Sequence, residues 1–135
     1  MAQITGGCLC GKVRYSGNAE PVFTGLCHCR DCQKFSGGAF AIVVAVPKDA
    51  LSIQGTLKTF SKPGDTGNTI ERSFCPECGS SIADEAAVMP GVLMITAGTL
   101  DDPNWVKPAM QIYCDSAQPW VELGGGLQSF PKMPA

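Results

Sequence analysis

Seven of the eight cysteines in this chain fall into three tight groups: Cys8-Leu9-Cys10, Cys27-His28-Cys29-Arg30-Asp31-Cys32 and Cys75-Pro76-Glu77-Cys78. Cys114 stands alone. Thiolates are soft ligands that hold zinc tetrahedrally, so spacing of this kind points first to metal chemistry. In extended backbone, residues i and i+2 project to one face. Each Cys-x-Cys therefore presents two sulfurs together and turns Leu9 or His28 the other way. In Phe74-Cys75-Pro76-Glu77-Cys78-Gly79, Pro76 presets φ and Gly79 can take a positive φ, which makes a tight turn that aims two thiolates at one ion. A redox Cys-x-x-Cys would call for a βαβ setting, which the chain does not offer. His28 is the single histidine, so three-histidine and HExxH zinc sites are excluded and any metal is held mainly by sulfur.

A closed structural zinc site takes four ligands, and two cysteine pairs supply them. Cys75 and Cys78 could join either Cys8 and Cys10 or Cys27 and Cys29, and spacing leaves both pairings open. The first pairing leaves Cys27, Cys29 and Cys32 as three sulfurs with no obvious fourth protein ligand, the way zinc is held for catalysis. The competing reading is a second structural centre completed by His28 or Cys114. Three thiolates leave a zinc centre with a net negative charge, so it generates hydroxide poorly but suits a further thiol, bound as thiolate. Base deamination needs HxE and PCxxC, whereas here Cys29 and Arg30 follow His28 and Phe74 precedes Cys75. A nucleophilic pair of His28 and Cys29 fails because neighbours in extended backbone diverge.

Around the three-sulfur cluster, Arg30 and Lys34 are spaced i and i+4 on a short predicted helix, Cys29 to Ser36. Ser36, Gly37 and Gly38 offer backbone that a ligand could approach. Together they could clamp the carboxylates of a peptide-like thiol; the plain alternative is a pair of solvated cations. Asp101 and Asp102 could accept protons, but an Asp-Asp-Pro-Asn run suits a local cap better. His28 reads as packed or solvated, Cys114 as a buried apolar thiol alternating with Ile112, and Trp105, Tyr113 and Trp120 as core.

The elements that must position these groups are short strands. Lys12 to Ser16 alternates polar and apolar residues, and strand candidates follow at Val22 to Leu26, Phe40 to Val46, Leu51 to Ile53, Leu57 to Phe60, Thr69 to Phe74, Ser80 to Ala83, Val92 to Thr96 and Met110 to Cys114. Turn residues separate them at Gly17-Asn18, Pro47-Lys48-Asp49, Gln54-Gly55, Pro63-Gly64-Asp65, Met89-Pro90-Gly91 and Asp101 to Asn104. With 16 glycines and 10 prolines, long helices are excluded, and the pattern predicts an all-β sandwich or open barrel with at most one short helix. The segment from Gly124-Gly125-Gly126 to Pro134 reads as an irregular close.

The chain has 135 residues, 44% of them hydrophobic, enough for one domain over 1–135 whose core needs no disulfide staples. No cationic, apolar leader precedes Gly7, so the expected setting is the reducing cytoplasm. The longest apolar run, Ala39 to Val46, is far shorter than the roughly 20 residues that span a bilayer. Ten basic residues, none adjacent, and a net charge of −2 argue against nucleic-acid binding; oligomeric state is not legible.

Gly6-Gly7-Cys8-Leu9-Cys10-Gly11, Cys27-His28-Cys29-Arg30-Asp31-Cys32 with Ser36-Gly37, and Arg72-Ser73-Phe74-Cys75-Pro76-Glu77-Cys78-Gly79 resemble, in order and spacing, the glutathione-dependent formaldehyde-activating enzymes. Relatives of that family include centromere protein V. Weaker matches at Ala97-Gly98-Thr99-Leu100-Asp101 and Pro119-Trp120 extend the resemblance over nearly the whole chain. The resemblance implies a Mss4-like all-β fold of stacked antiparallel sheets and two zinc ions per chain. One would be structural, on Cys8, Cys10, Cys75 and Cys78, and one would sit in the active site, on Cys27, Cys29 and Cys32. It further implies carbon–sulfur lyase chemistry: glutathione, or another thiol, joins formaldehyde or a related aldehyde in an S-hydroxymethyl adduct, or the adduct is cleaved. The alternative from another class is a non-catalytic, zinc-stabilised binding module.

Overall fold

The computed structural model describes residues 2–122 and 126–134. In chain order the elements are Ala2–Gly7 (β1), Arg14–Ala19 (β2), Phe23–Cys27 (β3), the helix Arg30–Ser36 (α1), Ala41–Pro47 (β4), Leu51–Gln54 (β5), Lys58–Pro63 (β6), Thr69–Phe74 (β7), Ser81–Ala86 (β8), Val92–Thr96 (β9), Met110–Ile112 (β10) and Gln128–Ser129 (β11). They form a three-stranded sheet ordered β1-β2-β5 and an eight-stranded sheet ordered β11-β10-β3-β4-β9-β8-β7-β6. The predicted all-β class with one short helix is the observed one. No helix among the described residues is long and apolar enough to cross a membrane.

Burial follows the period-2 alternation of β4. Val44 and Val46 point into the main core with Ile4 and Tyr15 of the small sheet and Ile82, Leu93 and Ile95 of the large one. Ala41 and Val43 point the opposite way, into a second cluster with Cys27 and Cys32, against which Phe23, Met94, Ile112 and Tyr113 pack. A strand apolar on both faces can serve two cores, and Cys8 and Cys75 belong to the first while Cys27 and Cys32 belong to the second.

Several elements differ from the sequence expectation. Gly17-Asn18 is not a turn: β2 runs through it, with Gly17 paired to Ile4 on one side and Leu51 on the other. Gly17 is needed there because a Cβ would fall 2.0 Å from the carbonyl oxygen of Ala50. The first strand, β1, carries too few apolar residues to alternate visibly, yet it pairs with β2 along its whole length. The sheets are not antiparallel throughout, since β10 runs parallel to both β3 and β11 after the long connection from β9 brings it to the far side of β3. In the closing segment Gln128–Ser129 is a strand rather than irregular; Gly124 and Gly125 lie outside the described residues. The helix starts at Arg30, with Cys29 as its N-cap.

Candidate metal centres

The sulfurs gather into two groups, Cys8, Cys10, Cys75 and Cys78, and Cys27, Cys29 and Cys32; within each, all Sγ atoms lie within 4.8 Å of one another. In the first, Cys8 and Cys10 Sγ are 3.6 Å apart and Cys10 and Cys75 Sγ 3.8 Å. A tetrahedron with zinc–sulfur bonds of about 2.3 Å has edges of about 3.8 Å, so this donor set fits zinc, and all eight cysteines are free rather than disulfide-bonded. The cysteines joined to the Cys75-Cys78 knuckle are thus Cys8 and Cys10, not Cys27 and Cys29.

Two glycine turns build the four-sulfur group. Gly11 donates its N–H to the carbonyl of Cys8 at 3.1 Å and Gly79 to that of Cys75 at 2.8 Å, with φ of +83° and +77°, values that a Cβ would strain. Cys8-Leu9-Cys10 is consequently a turn, not the extended pair expected from sequence, and Leu9 is left in solvent. Hydrogen bonds favour thiolate at two of the ligands. The Ser80 hydroxyl, 3.2 Å from Cys78 Sγ, and the Ser80 backbone draw that thiol down to about 5. At Cys8, burial opposes ionisation, but the Val13 N–H donated to its sulfur at 3.2 Å and the Cys10 and Cys75 thiols outweigh it and lower the pKa.

The three-sulfur group comes from one short segment. Cys27 ends β3, Cys29 caps α1 by accepting the Cys32 N–H at 3.2 Å, and Cys32 lies in the helix's first turn. Gln33, buried, secures the bend: its Nε2 donates to the His28 carbonyl at 2.6 Å and the Ser116 carbonyl at 3.0 Å. Hydrogen bonds from the Cys27 and Cys32 thiols pull Cys29 down to about 2, while donating to that sulfur pushes Cys27 up to about 12, and donating to Cys27 and Cys29 raises Cys32 as well. The donor chemistry suits a soft divalent cation, and among the described residues no fourth Cys, His, Asp or Glu joins the group.

Sequence reasoning does not single out two further residues at this group. Arg72 of β7 is 7% exposed and directs Nη1 at Cys32 Sγ, 3.9 Å away, and at Asp84 Oδ2, 3.3 Å away; Asp84, its register partner on β8, is 6% exposed. The Phe35 ring lies 5.4 Å from the guanidinium carbon. Burial raises Asp84 to about 6, opposed by the Arg72 charge. Arg72 lies in the Arg72-to-Gly79 motif, and that motif is the only signal in the sequence that could draw attention to it.

The other expected residues are dispersed. Arg30 and Lys34 are exposed, Arg30 donating to Gln33 Oε1, and the Ser36 hydroxyl donates to the Phe40 carbonyl at 3.1 Å beside Gly37, the helix C-cap. Asp101 forms a paired contact with Arg14 and Asp102 caps the turn at Asn104, 3.0 Å away. His28 is buried, with Nε2 2.9 Å from Gln111 Oε1 and its ring tilted against Phe40. Cys114 is half-buried rather than a core thiol, because the left-handed Tyr113 breaks the strand before it; it borders a cavity of about 240 Å³ with His28, Gln111 and Gln118. Trp120, in a turn, is 70% exposed and not core, whereas Trp105 and Tyr113 pack against the two clusters.

A β-rich fold with two sulfur clusters defines a class, and comparison with known proteins places the chain in it. Residues 3–116 match the glutathione-dependent formaldehyde-activating enzyme family, and the chain belongs to that family. It is 28% identical over 104 residues to a Penicillium rubens protein named "Putative glutathione-dependent formaldehyde-activating enzyme", with 75% of this chain and 54% of the relative covered. Identically named proteins of Aspergillus flavus and Aspergillus oryzae are 28% identical over 106 residues, covering 75% of this chain and 55% of theirs. The chain therefore spans about half the length of the curated relatives it matches. A crystal structure of a Rhodobacter sphaeroides protein shares the fold, with a TM-score of 0.59 and 20% identity over 77% of this chain and 91% of that one.

Proposed function

We propose that this chain is a zinc-dependent carbon–sulfur lyase or synthase. It would act on a glutathione-like thiol and an aldehyde, formaldehyde in the first instance, or on their S-hydroxymethyl adduct. The observation that carries the reading is the three-sulfur group of Cys27, Cys29 and Cys32, set apart from a complete four-sulfur group on the other side of the large sheet. Cys8, Cys10, Cys75 and Cys78 would hold a structural zinc and Cys27, Cys29 and Cys32 an exchangeable one. Zinc bound by three protein thiolates supplies a soft Lewis acid that favours a sulfur guest in its ionised form.

The chain's own residues set the geometry. The end of β3, the Cys29 cap and the first turn of α1 fix three sulfurs in one place, and Gln33 holds the intervening backbone against the turn at Ser116. In the forward reaction the guest sulfur, having released its thiol proton, donates an electron pair to the carbonyl carbon, a carbon–sulfur bond forms as the carbon–oxygen π bond breaks, and the carbonyl oxygen takes up the proton that the thiol released. Cleavage runs the same steps backwards. Holding the two reactants in one orientation is the main contribution a protein makes to such an addition. Exposed Arg30 and Lys34 are offered as partners for the carboxylates of a peptide-like thiol, with Ser36 and Gly37 as the adjoining backbone. The expected compartment is the cytoplasm, where thiols stay reduced.

Cobalt substitution tests the reading. The protein should take up about two metal ions per chain, and the cobalt spectrum should shift on titration with glutathione but not with a thiol lacking its carboxylates. A spectrum unmoved by any of a panel of thiols would refute the proposal in favour of a zinc-stabilised binding module.

A further inference from the structure

The proposed chemistry asks a centre that already carries three thiolates to admit a fourth sulfur anion. Each added thiolate raises the negative charge, and at short range within a protein that repulsion is not negligible. A compensating positive charge must therefore lie close to the sulfurs and out of bulk water, where it would be screened. Arg30 and Lys34 do not meet the second condition, being exposed. Arg72 meets both: it is buried, and its Nη1 approaches Cys32 Sγ at 3.9 Å.

We infer that Arg72 is a positioning residue of the three-sulfur centre, donating to the Cys32 sulfur and offsetting the centre's negative charge so that an anionic sulfur guest can enter, with Asp84 and Phe35 holding it there. This inference rests on the function proposed above. The geometry distinguishes the role from that of an ordinary cross-strand ion pair. Arg72 and Asp84 face each other in register, yet they share one contact, 3.3 Å from Nη1 to Oδ2, where a guanidinium and a carboxylate facing each other could make a two-pronged pair. Asp84 Oδ1 is buried and has no hydrogen-bond partner. The nitrogen that meets Asp84 is also the one that meets Cys32, so the carboxylate steers the cation toward the sulfur rather than saturating it. Phe35, three residues beyond Cys32 in the chain, covers the guanidinium and keeps water from it. Burying two charges costs several kcal/mol in general, and well-packed apolar residues would serve stability as well or better, so a pair aimed at a ligand sulfur needs a reason beyond stability.

The test uses the full chain loaded with cobalt, comparing wild type with the double variant R72M/D84N, which leaves no unpaired buried charge, and with R72K, which keeps the charge but loses the fork. Both variants should take up two cobalt ions. In R72M/D84N the sulfur-to-cobalt charge-transfer bands should move to longer wavelength, because the sulfur lone pairs lose a positive neighbour. Its glutathione dissociation constant should rise roughly ten- to a hundredfold, the range that a charge-assisted hydrogen bond commands. R72K should fall between. Unchanged bands and unchanged glutathione affinity in R72M/D84N would overturn the inference, as would bands in R72K shifted no less than in the double variant. A wild-type protein whose bands respond to no thiol of the panel refutes the proposed function instead, and the band positions still decide the role of Arg72. Should R72M/D84N fail to fold, the bands of R72K against those of wild type decide it: a shift supports the role, and coincident bands overturn it.

Discussion

Replacing Cys78 and Cys29 by serine, one in each sulfur group, should have very different consequences for stability. Zinc on the four-sulfur group would tie the turn at Cys8 and Cys10 to the knuckle at Cys75 and Cys78, with Cys10 and Cys75 separated by 65 positions. For a cross-link closing a loop of that length, the chain-entropy estimate is about 4 kcal/mol. That is a large part of the roughly 5–15 kcal/mol by which a domain is usually stable. At the usual unfolding entropy per residue, losing it would lower Tm by roughly 12–16 °C in a chain of this size. Cys78 is the suitable position because it is half-buried, so the new hydroxyl adds little burial cost of its own, whereas Cys75 is fully buried. The three sulfurs of the other group come from a single segment whose bend is already held by backbone. Gln33 N–H reaches the Cys29 carbonyl at 2.9 Å and His28 N–H the Ile112 carbonyl at 3.1 Å. Serine at position 29 also keeps a good helix N-cap. C29S should therefore lower Tm by less than about 5 °C while losing one of two zinc ions. Thermal melting by circular dichroism under reducing conditions, with zinc counted by atomic absorption, provides both readouts. Equal losses of Tm in C78S and C29S would refute the division into a structural and an exchangeable centre.

Two further outcomes follow from the same structure. Asp84 keeps its proton to about 6 in the fold, against an ordinary value of 3.8, so it favours the folded state fully below 3.8 and this contribution is lost as pH rises through about 6. The stability of wild type minus that of D84N should therefore fall by on the order of 2–3 kcal/mol between pH 4 and pH 7, measured by urea unfolding of zinc-saturated protein; parallel curves for the two proteins would contradict it. Ala at position 79, where φ is +77°, should cost about 1–2 kcal/mol, whereas G98A, with open space around a new Cβ, should be close to neutral. Indistinguishable melting curves for G79A and G98A would show that the knuckle does not depend on the left-handed turn.

The chemistry was legible because it is local. Two cysteines one or two residues apart can reach one ion whatever the rest of the chain does, so spacing marked Cys27, Cys29 and Cys32 as candidate ligands while leaving their grouping open, and Gly79 was marked by the turn it must make. The short strands were legible for the same reason, since alternation and Gly or Pro punctuation act over a few residues. Expectations failed where a long-range partner decides. β1 becomes a strand through its pairing with β2, and Gly17 serves the close approach of Ala50 rather than a turn. Trp120 looks like core by its residue type but lies exposed in a turn.

By itself, then, the sequence determined that this chain is built of short strands and carries sulfur clusters of metal-binding spacing, because both are consequences of neighbouring residues. Which clusters join is a different matter: the choice of Cys8 and Cys10 for the Cys75-Cys78 knuckle depends on how β1, β2 and the large sheet pack, which no local pattern encodes. The meeting of Arg72 with both Asp84 and Cys32 likewise depends on the register between β7 and β8 and on α1 lying close to that pair. A one-residue slip in that register would turn the cation to the other face of the sheet and leave the three-sulfur centre without its compensating charge.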